Sequence, residues 1–288
     1  MFFHKSLHIN NSERLPLATI GISEFQDFIN FSSGTLVSRP SKRHVRMLYL
    51  DVGGQKKKYY LKQTGMQSIR VVLNAWCRLQ SPLSDTAREQ LLLELFRAHE
   101  IPVMNPVAWG DYRVLGWPVA GFILVEEVVG KEFVEVYRDA SIRIRRRLMW
   151  IHGELMGILH NKGIESKVHP RDLICISQNY TSFQSSVVVI DRERGRIRRE
   201  NISLKHRGKT LAEIWVKGAF TLGRGERSEL LAFLSGYFGA AGMHRLNQAM
   251  RKDLVNWVFF RVEKILDSDQ RFFSLRQDFK ERYGIPRK

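Results

Sequence analysis

The order of apolar and polar residues predicts strands in the first half of the chain. Residues 46–52 and 58–63 have strand-forming sequences, and Gly53-Gly54 between them is a hairpin turn signal. Two further segments, 103–109 and 121–127, also have the composition of strands. Strands joined by short turns favour an antiparallel sheet, because only antiparallel neighbours can be connected by a tight turn.

One helix interrupts this run of strands. Ser84-Asp85 offers an N-cap, and apolar residues then recur at helical spacing, largely on one face: Ala87, Leu91, Leu92, Leu95 and Phe96. This helix is predicted to end near Ala98-His99-Glu100. The first half of the chain therefore predicts an antiparallel sheet with one helix.

The second half of the chain has mainly helical periodicity. Residues 142–161 have a long amphipathic pattern that ends at Lys162-Gly163. Further helical patterns cover residues 209–221, 226–238 and 243–266. Strands first and helices afterwards predict an α+β chain of two lobes, residues 1–128 and residues 129–288, with Gly130 at the hinge.

The charge balance indicates an anionic partner. The chain has 46 Lys and Arg against 29 Asp and Glu, which gives a net charge of +17 and a pI near 10.1. Such a surface attracts nucleic acid, an anionic membrane face or a phosphorylated substrate, and charge alone does not choose among them. The sequence has no RNA- or DNA-reading signature, so specific nucleic-acid binding is the weaker interpretation.

Apolar runs and cysteines indicate the compartment. No apolar run reaches the roughly 18 residues that a membrane-spanning helix needs, and the first residues lack the layout of a signal peptide. Cys77 and Cys175 lie far apart, which excludes a disulfide scaffold and suits a reducing cytoplasm. Residues 69–79, with Arg70 and Trp76, suit contact with a membrane interface, and a packed loop is the alternative. We expect a cytoplasmic protein that is peripheral on the inner, anionic face of the cytoplasmic membrane.

A small set of charged residues matches the requirements of phosphoryl transfer from ATP. That reaction needs a strand lysine for the inner phosphates, a helix carboxylate beside it, an Asp that orients the acceptor hydroxyl, and an acidic group for Mg²⁺. Lys62 lies late in a predicted strand and is the candidate lysine, although an ordinary solvated lysine would give the same pattern. Glu89 in the predicted helix is its candidate partner, and Glu94 is the competing carboxylate.

Two aspartates in the second half are candidates for the remaining roles. Asp172 follows His169 in a loop after the long helix, where it is well placed to act as a general base or to orient a hydroxyl. Asp191 comes directly after the apolar run 187–190, as expected for a metal-binding carboxylate at the tip of a buried strand. Each aspartate is also typical of a capping residue in a loop or turn. The order of all four residues along the chain favours phosphoryl transfer.

Eight short stretches within residues 30–245 carry a resemblance to a known family: 59–62, 88–103, 107–110, 159–163, 169–173, 189–192, 209–212 and 233–238. In order and spacing they resemble the lipopolysaccharide core kinase family, the heptose and Kdo kinases, which are distant relatives of protein kinases. The resemblance implies a bilobal protein-kinase-like fold that binds ATP and Mg²⁺ between its lobes.

The resemblance also implies roles for individual residues. Lys62 would anchor the phosphates of ATP, Glu89 would pair with Lys62, and Asp172 would be the catalytic Asp. Asp191 would hold Mg²⁺, and the hinge backbone that contacts adenine would be formed by Glu126, Glu127 and Val128. The implied activity is ATP-dependent phosphorylation of a sugar hydroxyl, on heptose or Kdo, in the lipid-linked lipopolysaccharide inner core.

Departures from the kinase pattern leave other interpretations open. In protein kinases an Asn five residues after the catalytic Asp binds metal; here Ser177 has that position, and Asn179 is the nearby substitute. Pro170 is an extra residue between the His and the Arg of the loop, and the segment before the first strand, around Gly34, has few glycines. A pseudokinase-like scaffold and a kinase-like phosphotransferase with another substrate are therefore the alternatives. The sequence does not indicate the oligomeric state.

Overall fold

The chain divides into two compact units. In the computed structural model the described residues are 3–38, 43–77, 79–191, 195–197, 202–222, 226–240 and 248–268. The first unit comprises Met1–Val128 and Asp191–Arg194, and the second comprises Val129–Ile190 and Gly195–Lys288. The assignment of residues 1–128 as a nucleotide-covering lobe and residues 129–288 as a catalytic lobe stays a prediction.

The first unit contains a six-stranded antiparallel sheet with the order β1-β5-β6-β4-β3-β2. Its strands are β1 Phe3–Ile9, β2 Thr35–Ser38, β3 Arg43–Val52, β4 Gln55–Thr64, β5 Pro106–Val114 and β6 Trp117–Glu126. The hairpin of β3 and β4 turns at Gly53 and Gly54, whose φ angles of 62° and 77° suit glycine. The predicted antiparallel sheet is confirmed. The edge strand β1 escaped prediction because it is almost entirely exposed and so has little apolar pattern.

The prediction of a single helix in the first unit is wrong, because the described part of this unit has four. These are α1 Asn11–Thr19, α2 Phe25–Asn30, α3 Ile69–Trp76 and α4 Asp85–Ala98. Only α4 has the length and cap that the sequence showed, with Ser84 Oγ accepting a hydrogen bond from the Ala87 N–H at 3.1 Å. The other three are short, and α1 contains Pro16, so tertiary packing rather than intrinsic propensity maintains them.

The two faces of this sheet have different roles. On one face Tyr59 and Leu61 of β4 are fully buried in an apolar core shared with α1 and α2. Alternation places Lys62 and Thr64 on the opposite face. There Thr64 Oγ1 lies 3.2 Å from Thr86 Oγ1 of α4. Helix α4 therefore covers the face of the sheet that carries Lys62.

The second unit is mainly helical, as predicted. Its helices are α5 Phe133–Asp139, α6 Ile142–Asn161, α7 Phe183–Ser186, α8 Leu204–Leu222, α9 Arg227–Ala240 and α10 Gln248–Ser268. Its short strands are β7 Lys131–Glu132, β8 Ile164–Ser166, β9 Leu173–Cys175, β10 Val187–Val189 and β11 Gly195–Ile197. They form a sheet of order β10-β9-β7 and a β11-β8 pair. The first residues of the helix predicted over 243–266 lie outside the described residues. Of the helices in the described ranges, none is long and apolar enough to cross a membrane.

Helices α6 and α9 pack so closely that their backbones are in contact at two glycines. A Cβ at Gly153 of α6 would overlap the carbonyl group of Phe233, whose carbon would lie 2.8 Å away. A Cβ at Gly236 of α9 would overlap the carbonyl group of Trp150 in the same way. Each glycine makes room for the backbone of the other helix, so this crossing depends on the absence of both side chains.

A buried histidine lies beside this helix pair. His160 of α6 is fully buried, and its Nδ1 lies 2.9 Å from the Tyr237 hydroxyl of α9. Desolvation by burial, followed by repulsion from Arg207 and His206, lowers the pKa of His160 to about 3. The imidazole therefore stays neutral in the folded protein down to about pH 3, whereas a histidine in the unfolded chain protonates near pH 6.5.

This histidine predicts a loss of stability in mild acid. The unfolded chain binds a proton on His160 below about pH 6.5, whereas the folded chain does so only near pH 3, so stability falls as the pH falls through this window. Between pH 6.5 and 5 we expect His160 to remove about 2 kcal/mol from the free energy of unfolding. Urea titrations of the wild type and of His160→Gln will measure this term. Equal acid dependence in the two proteins would contradict it.

Candidate functional site

Lys62 and Glu89 form a buried ion pair in the first unit. Lys62 lies in the central strand β4 and is 6% exposed, while Glu89 on α4 is fully buried, and Lys62 Nζ donates to Glu89 Oε1. Glu94 is exposed on another side of the same helix. The packing of α4 on the sheet thus brings Glu89, rather than the competing carboxylate, to the strand lysine.

Arg43 joins this pair, and the sequence pattern did not predict it. One terminal nitrogen of Arg43 donates to Glu89 Oε2 at 2.9 Å and to Asp191 Oδ1 at 3.1 Å. Arg43 is opposite Thr64 in the β3–β4 register, which places it on the same sheet face as Lys62. The period-2 pattern of β3 could have revealed it, but the strand was predicted to begin at residue 46, after this arginine.

Asp191 completes the cluster from a distant part of the chain. Its Oδ1 accepts a hydrogen bond from Lys62 Nζ at 3.0 Å as well as from Arg43. Desolvation raises the pKa of Asp191, but attraction to Lys62 and Arg43 outweighs it and lowers the pKa to about 2. Its φ of 57° lies in the left-handed region, which a non-glycine residue adopts rarely, and such residues concentrate at functional sites. The carboxylate is therefore ionised and held in an unusual backbone conformation.

These four side chains, Arg43, Lys62, Glu89 and Asp191, form what we call the charge cluster. It contains two cations and two anions, so its formal charge is zero. Lys62 and Glu89 are buried, whereas the Asp191 side chain is 51% exposed. Burying ions costs several kcal/mol each, which mutual attraction repays only in excellent geometry, so stability alone is a weak reason for the buried pair. A carboxylate with a strongly shifted pKa and defined charged partners is instead a mark of a functional site.

The charge cluster offers one ligand suited to Mg²⁺. Among the described residues there is no group of three or more His, Cys, Asp or Glu side chains that could hold a metal ion. Mg²⁺ bound with nucleotide usually takes one or two carboxylates, with phosphate oxygens and water completing the octahedron. The ionised Asp191 fits this chemistry, since phosphate oxygens would supply further ligands.

Asn179, the candidate second ligand, lies in the loop between β9 and α7. Its side chain is exposed, its N–H donates to Ser177 Oγ at 3.0 Å, and its carbonyl oxygen accepts from Ser186 Oγ at 3.2 Å. Ser177, which has the position of the kinase Asn, thus shapes this loop. The role of Asn179 as a metal ligand stays a prediction.

Asp172 is held in place by its own loop in the second unit. It ends a one-turn 3-10 helix, Pro170–Asp172, and its buried carboxylate accepts the His169 N–H at 2.8 Å through Oδ2. Its carbonyl oxygen accepts the N–H of Ile190, the residue before Asp191, at 2.8 Å. The capping interpretation therefore describes its backbone contacts, and these contacts also fix the carboxylate in one position, as a hydroxyl-orienting group requires.

Two backbone N–H groups of the candidate adenine-binding segment already form hydrogen bonds within the protein. The Glu126 N–H donates to the Asn105 carbonyl oxygen at 2.9 Å, and the Glu127 N–H donates to the Lys58 carbonyl oxygen at 2.9 Å. The Glu126 carboxylate accepts from Lys57 at 2.8 Å, and Lys58 donates to Glu127 at 2.6 Å. Neither amide N–H is thus available to a ligand.

Comparisons with known proteins support the fold. No protein-family model and no curated protein matches this chain. Among solved structures, "WaaP in complex with acyl carrier protein" matches with a TM-score of 0.60 and 19% sequence identity. The match covers 90% of this chain and 98% of the other chain. At this identity the likeness shows the fold alone: an α+β chain with an antiparallel N-terminal sheet and a helical C-terminal region, similar to that of WaaP.

Proposed function

We propose that this protein is an ATP-dependent kinase that phosphorylates a sugar hydroxyl, on heptose or Kdo, of the lipid-linked lipopolysaccharide inner core. The observation that carries the proposal is the charge cluster, in which a strand lysine is paired with a helix glutamate and with the carboxylate that follows a buried strand. The likeness to WaaP and the sequence resemblance to lipopolysaccharide core kinases support it.

Lys62 is proposed to bind the phosphates of ATP. Its ammonium group is buried and already oriented by Glu89, so a nucleotide phosphate would meet a preorganised cation rather than a mobile surface side chain. Arg43 lies beside the same carboxylate and would add a second positive charge. In this arrangement Glu89 is a positioning residue for both cations.

Asp191 is proposed to hold Mg²⁺, with Asn179 as the proposed second ligand. When bound, this ion would neutralise charge on the transferred phosphoryl group. In the described structure Asp191 Oδ1 pairs with Lys62 and Arg43. We infer that nucleotide phosphates would compete for these two cations and leave the carboxylate to the metal.

Asp172 is proposed to orient the acceptor hydroxyl and to accept its proton. The Oδ2 atom accepts the backbone N–H of His169, which fixes the direction of the carboxylate. A carboxylate held in this way can align an incoming sugar hydroxyl at little further cost in entropy.

The segment Glu126, Glu127 and Val128 is proposed to bind adenine through its backbone. Because the first two amide groups donate within the fold, the Val128 N–H and the carbonyl oxygens of the segment are the groups we assign to the base. The acceptor and the positive charge favour work at the inner face of the cytoplasmic membrane, since a lipid-linked substrate lies there.

One observation favours a second candidate, a pseudokinase-like scaffold. Ser177 replaces the metal-binding Asn, and its hydroxyl accepts the Asn179 N–H within the loop. A third candidate, a kinase-like phosphotransferase with another acceptor, uses the same site residues and differs only in substrate.

The proposal is tested by incubating the purified protein with ATP, Mg²⁺ and lipopolysaccharide from cells that lack this protein. We expect mass spectrometry of the inner core to show the gain of one phosphoryl group. ATP turnover without phosphorylated glycolipid would favour another acceptor. Nucleotide binding without turnover on any acceptor would favour the scaffold.

Lys62→Met is predicted to weaken nucleotide binding. Loss of a charge-assisted hydrogen bond to phosphate costs about 1.5–3 kcal/mol, which corresponds to a Kd for ATP·Mg²⁺ raised roughly 10- to 150-fold. The measurement is calorimetric titration, after circular dichroism has confirmed folding. Lys56→Ala, an exposed lysine in the same strand, is the control and should bind ATP as the wild type does. An unchanged Kd in Lys62→Met would remove this lysine from the site.

A further inference from the structure

The first unit has an exposed apolar face that the proposed reaction does not use. In α3, Ile69, Leu73 and Trp76 recur at spacings i, i+4 and i+7 and so lie on one side of the helix. These residues are 61%, 48% and 44% exposed. Val72 in the same helix is fully buried. The helix is therefore attached to the unit through Val72 while its apolar stripe stays accessible.

The stripe continues onto the neighbouring ends of the sheet. Trp76 meets Trp117, the first residue of β6, edge to face with 6.2 Å between ring centroids. The turn before β6 exposes Leu115, and Phe3, opposite Val114 at the start of β1, is exposed as well. We call this set the apolar surface: Phe3, Ile69, Leu73, Trp76 and Leu115. Its residues come from three separate segments of the chain.

The charged side chains of the same segments are all basic. Residues 1–12, 65–84 and 112–125 contain no Asp or Glu, in a chain that has 29 of them. Lys5 and Arg70 are exposed in these segments, and Lys5 lies over the Phe25 ring, within electrostatic reach of Asp27. An apolar stripe whose own chain segments carry cations and no acidic residue is complementary to a layer of anionic headgroups above hydrocarbon.

We infer that the apolar surface binds an anionic lipid bilayer. Trp76 and the aliphatic side chains would enter the interface, while Lys5 and Arg70 would stay at the level of the headgroups. A second copy of the chain is a poorer occupant, because pairing two such surfaces would bring their cations together and these segments carry no acidic residue of their own to offset them. The inference rests on the proposed function, which gives the reason for the protein to bind a membrane, and it adds the surface that does so.

Vesicle sedimentation tests this inference. The probes are vesicles of phosphatidylcholine alone and vesicles with about 30 mol% phosphatidylglycerol, at low and at physiological salt. We expect the wild type to prefer the anionic vesicles and to dissociate as salt increases. Ile69→Ser/Leu73→Ser should lower the partition coefficient at least tenfold. Leu91→Ser is the matched control, because Leu91 on α4 is 49% exposed, and it should bind as the wild type does.

Four outcomes would overturn the inference. One is equal vesicle binding by the wild type and the double variant, and another is no binding by the wild type. A third is self-association that depends on Leu73 without vesicle binding. The fourth is Leu73-dependent binding of a protein in place of vesicles, tested with acyl carrier protein, the partner in the WaaP structure. Thermal unfolding of each variant checks that it is folded.

The assay separates this inference from the proposed function. Vesicle binding needs neither ATP nor an acceptor. A protein that binds anionic vesicles but phosphorylates no glycolipid would contradict only the proposed kinase activity. A protein that phosphorylates detergent-dispersed glycolipid but ignores vesicles would contradict only the membrane surface.

Discussion

Asp172→Asn is expected to lower the rate of phosphoryl transfer by about 10²–10⁴-fold while leaving ATP binding unchanged, because a general base contributes a factor of this size. The amide keeps an oxygen that can accept the His169 N–H, so the loop should keep its structure. It loses the negative charge that aligns the acceptor hydroxyl and takes its proton. Single-turnover measurement of phosphate transfer, with calorimetry for ATP affinity, checks both parts.

The control for this variant is Asp253→Asn, which makes the same carboxylate-to-amide change at an exposed position on α10. It should transfer phosphate at the wild-type rate. Near-normal turnover in Asp172→Asn would leave Asp172 as a capping residue only. Lost ATP affinity together with lost turnover would indicate a structural defect rather than a missing base.

Gly153→Ala is expected to destabilise the second unit by about 3 kcal/mol or more, at the upper end of overpacking effects. Its new methyl group would overlap the Phe233 carbonyl group, which is backbone and cannot move aside as a side chain can. The two helices must therefore move apart where they cross to remove this overlap. Denaturant titration followed by circular dichroism gives the change in the free energy of unfolding.

Gly239→Ala is the matched control for this glycine effect. Gly239 lies in α9, has no atom within 4 Å of a Cβ placed on it, and has no unusual φ. There the alanine should be neutral or should stabilise the helix by about 0.5–1 kcal/mol, through its better helix propensity. If the two variants unfold at the same denaturant concentration, the backbone contact at Gly153 is not a packing constraint.

The elements that were predicted well are those with strong local signals. The hairpin around Gly53-Gly54 has its own turn chemistry, α4 has the Ser84 cap, and α6 has a long amphipathic pattern that ends at Gly163. By contrast α1, α2 and α3 are short. Buried neighbours stabilise α1 and α2; for example, Gln63 Nε2 donates to three carbonyl oxygens at the end of α2. Such contacts join distant parts of the chain, so they produce no hydrophobic periodicity from which the helices could be predicted.

In the candidate site, too, some residues could be predicted from their local sequence and others only from contacts between distant segments. Lys62, Glu89 and Asp191 could be proposed from their order and from the elements around them. The residue pattern left Glu89 and Glu94 both open, the family resemblance favoured Glu89, and the side of α4 that faces the sheet brings Glu89 to Lys62. Arg43 was found only through its register in β3. The low pKa of Asp191 likewise arises from cations that lie more than a hundred residues away in the chain.

Composition and periodicity were sufficient for the α+β class, the antiparallel sheet, the helical second half and the excess of positive charge, because each depends on near neighbours or on a sum over residues. The ionic partners, the backbone contact at Gly153 and Gly236, and the exposure of the α3 stripe came from packing. Each of these depends on which distant segments meet, and a linear pattern of residues does not encode that directly.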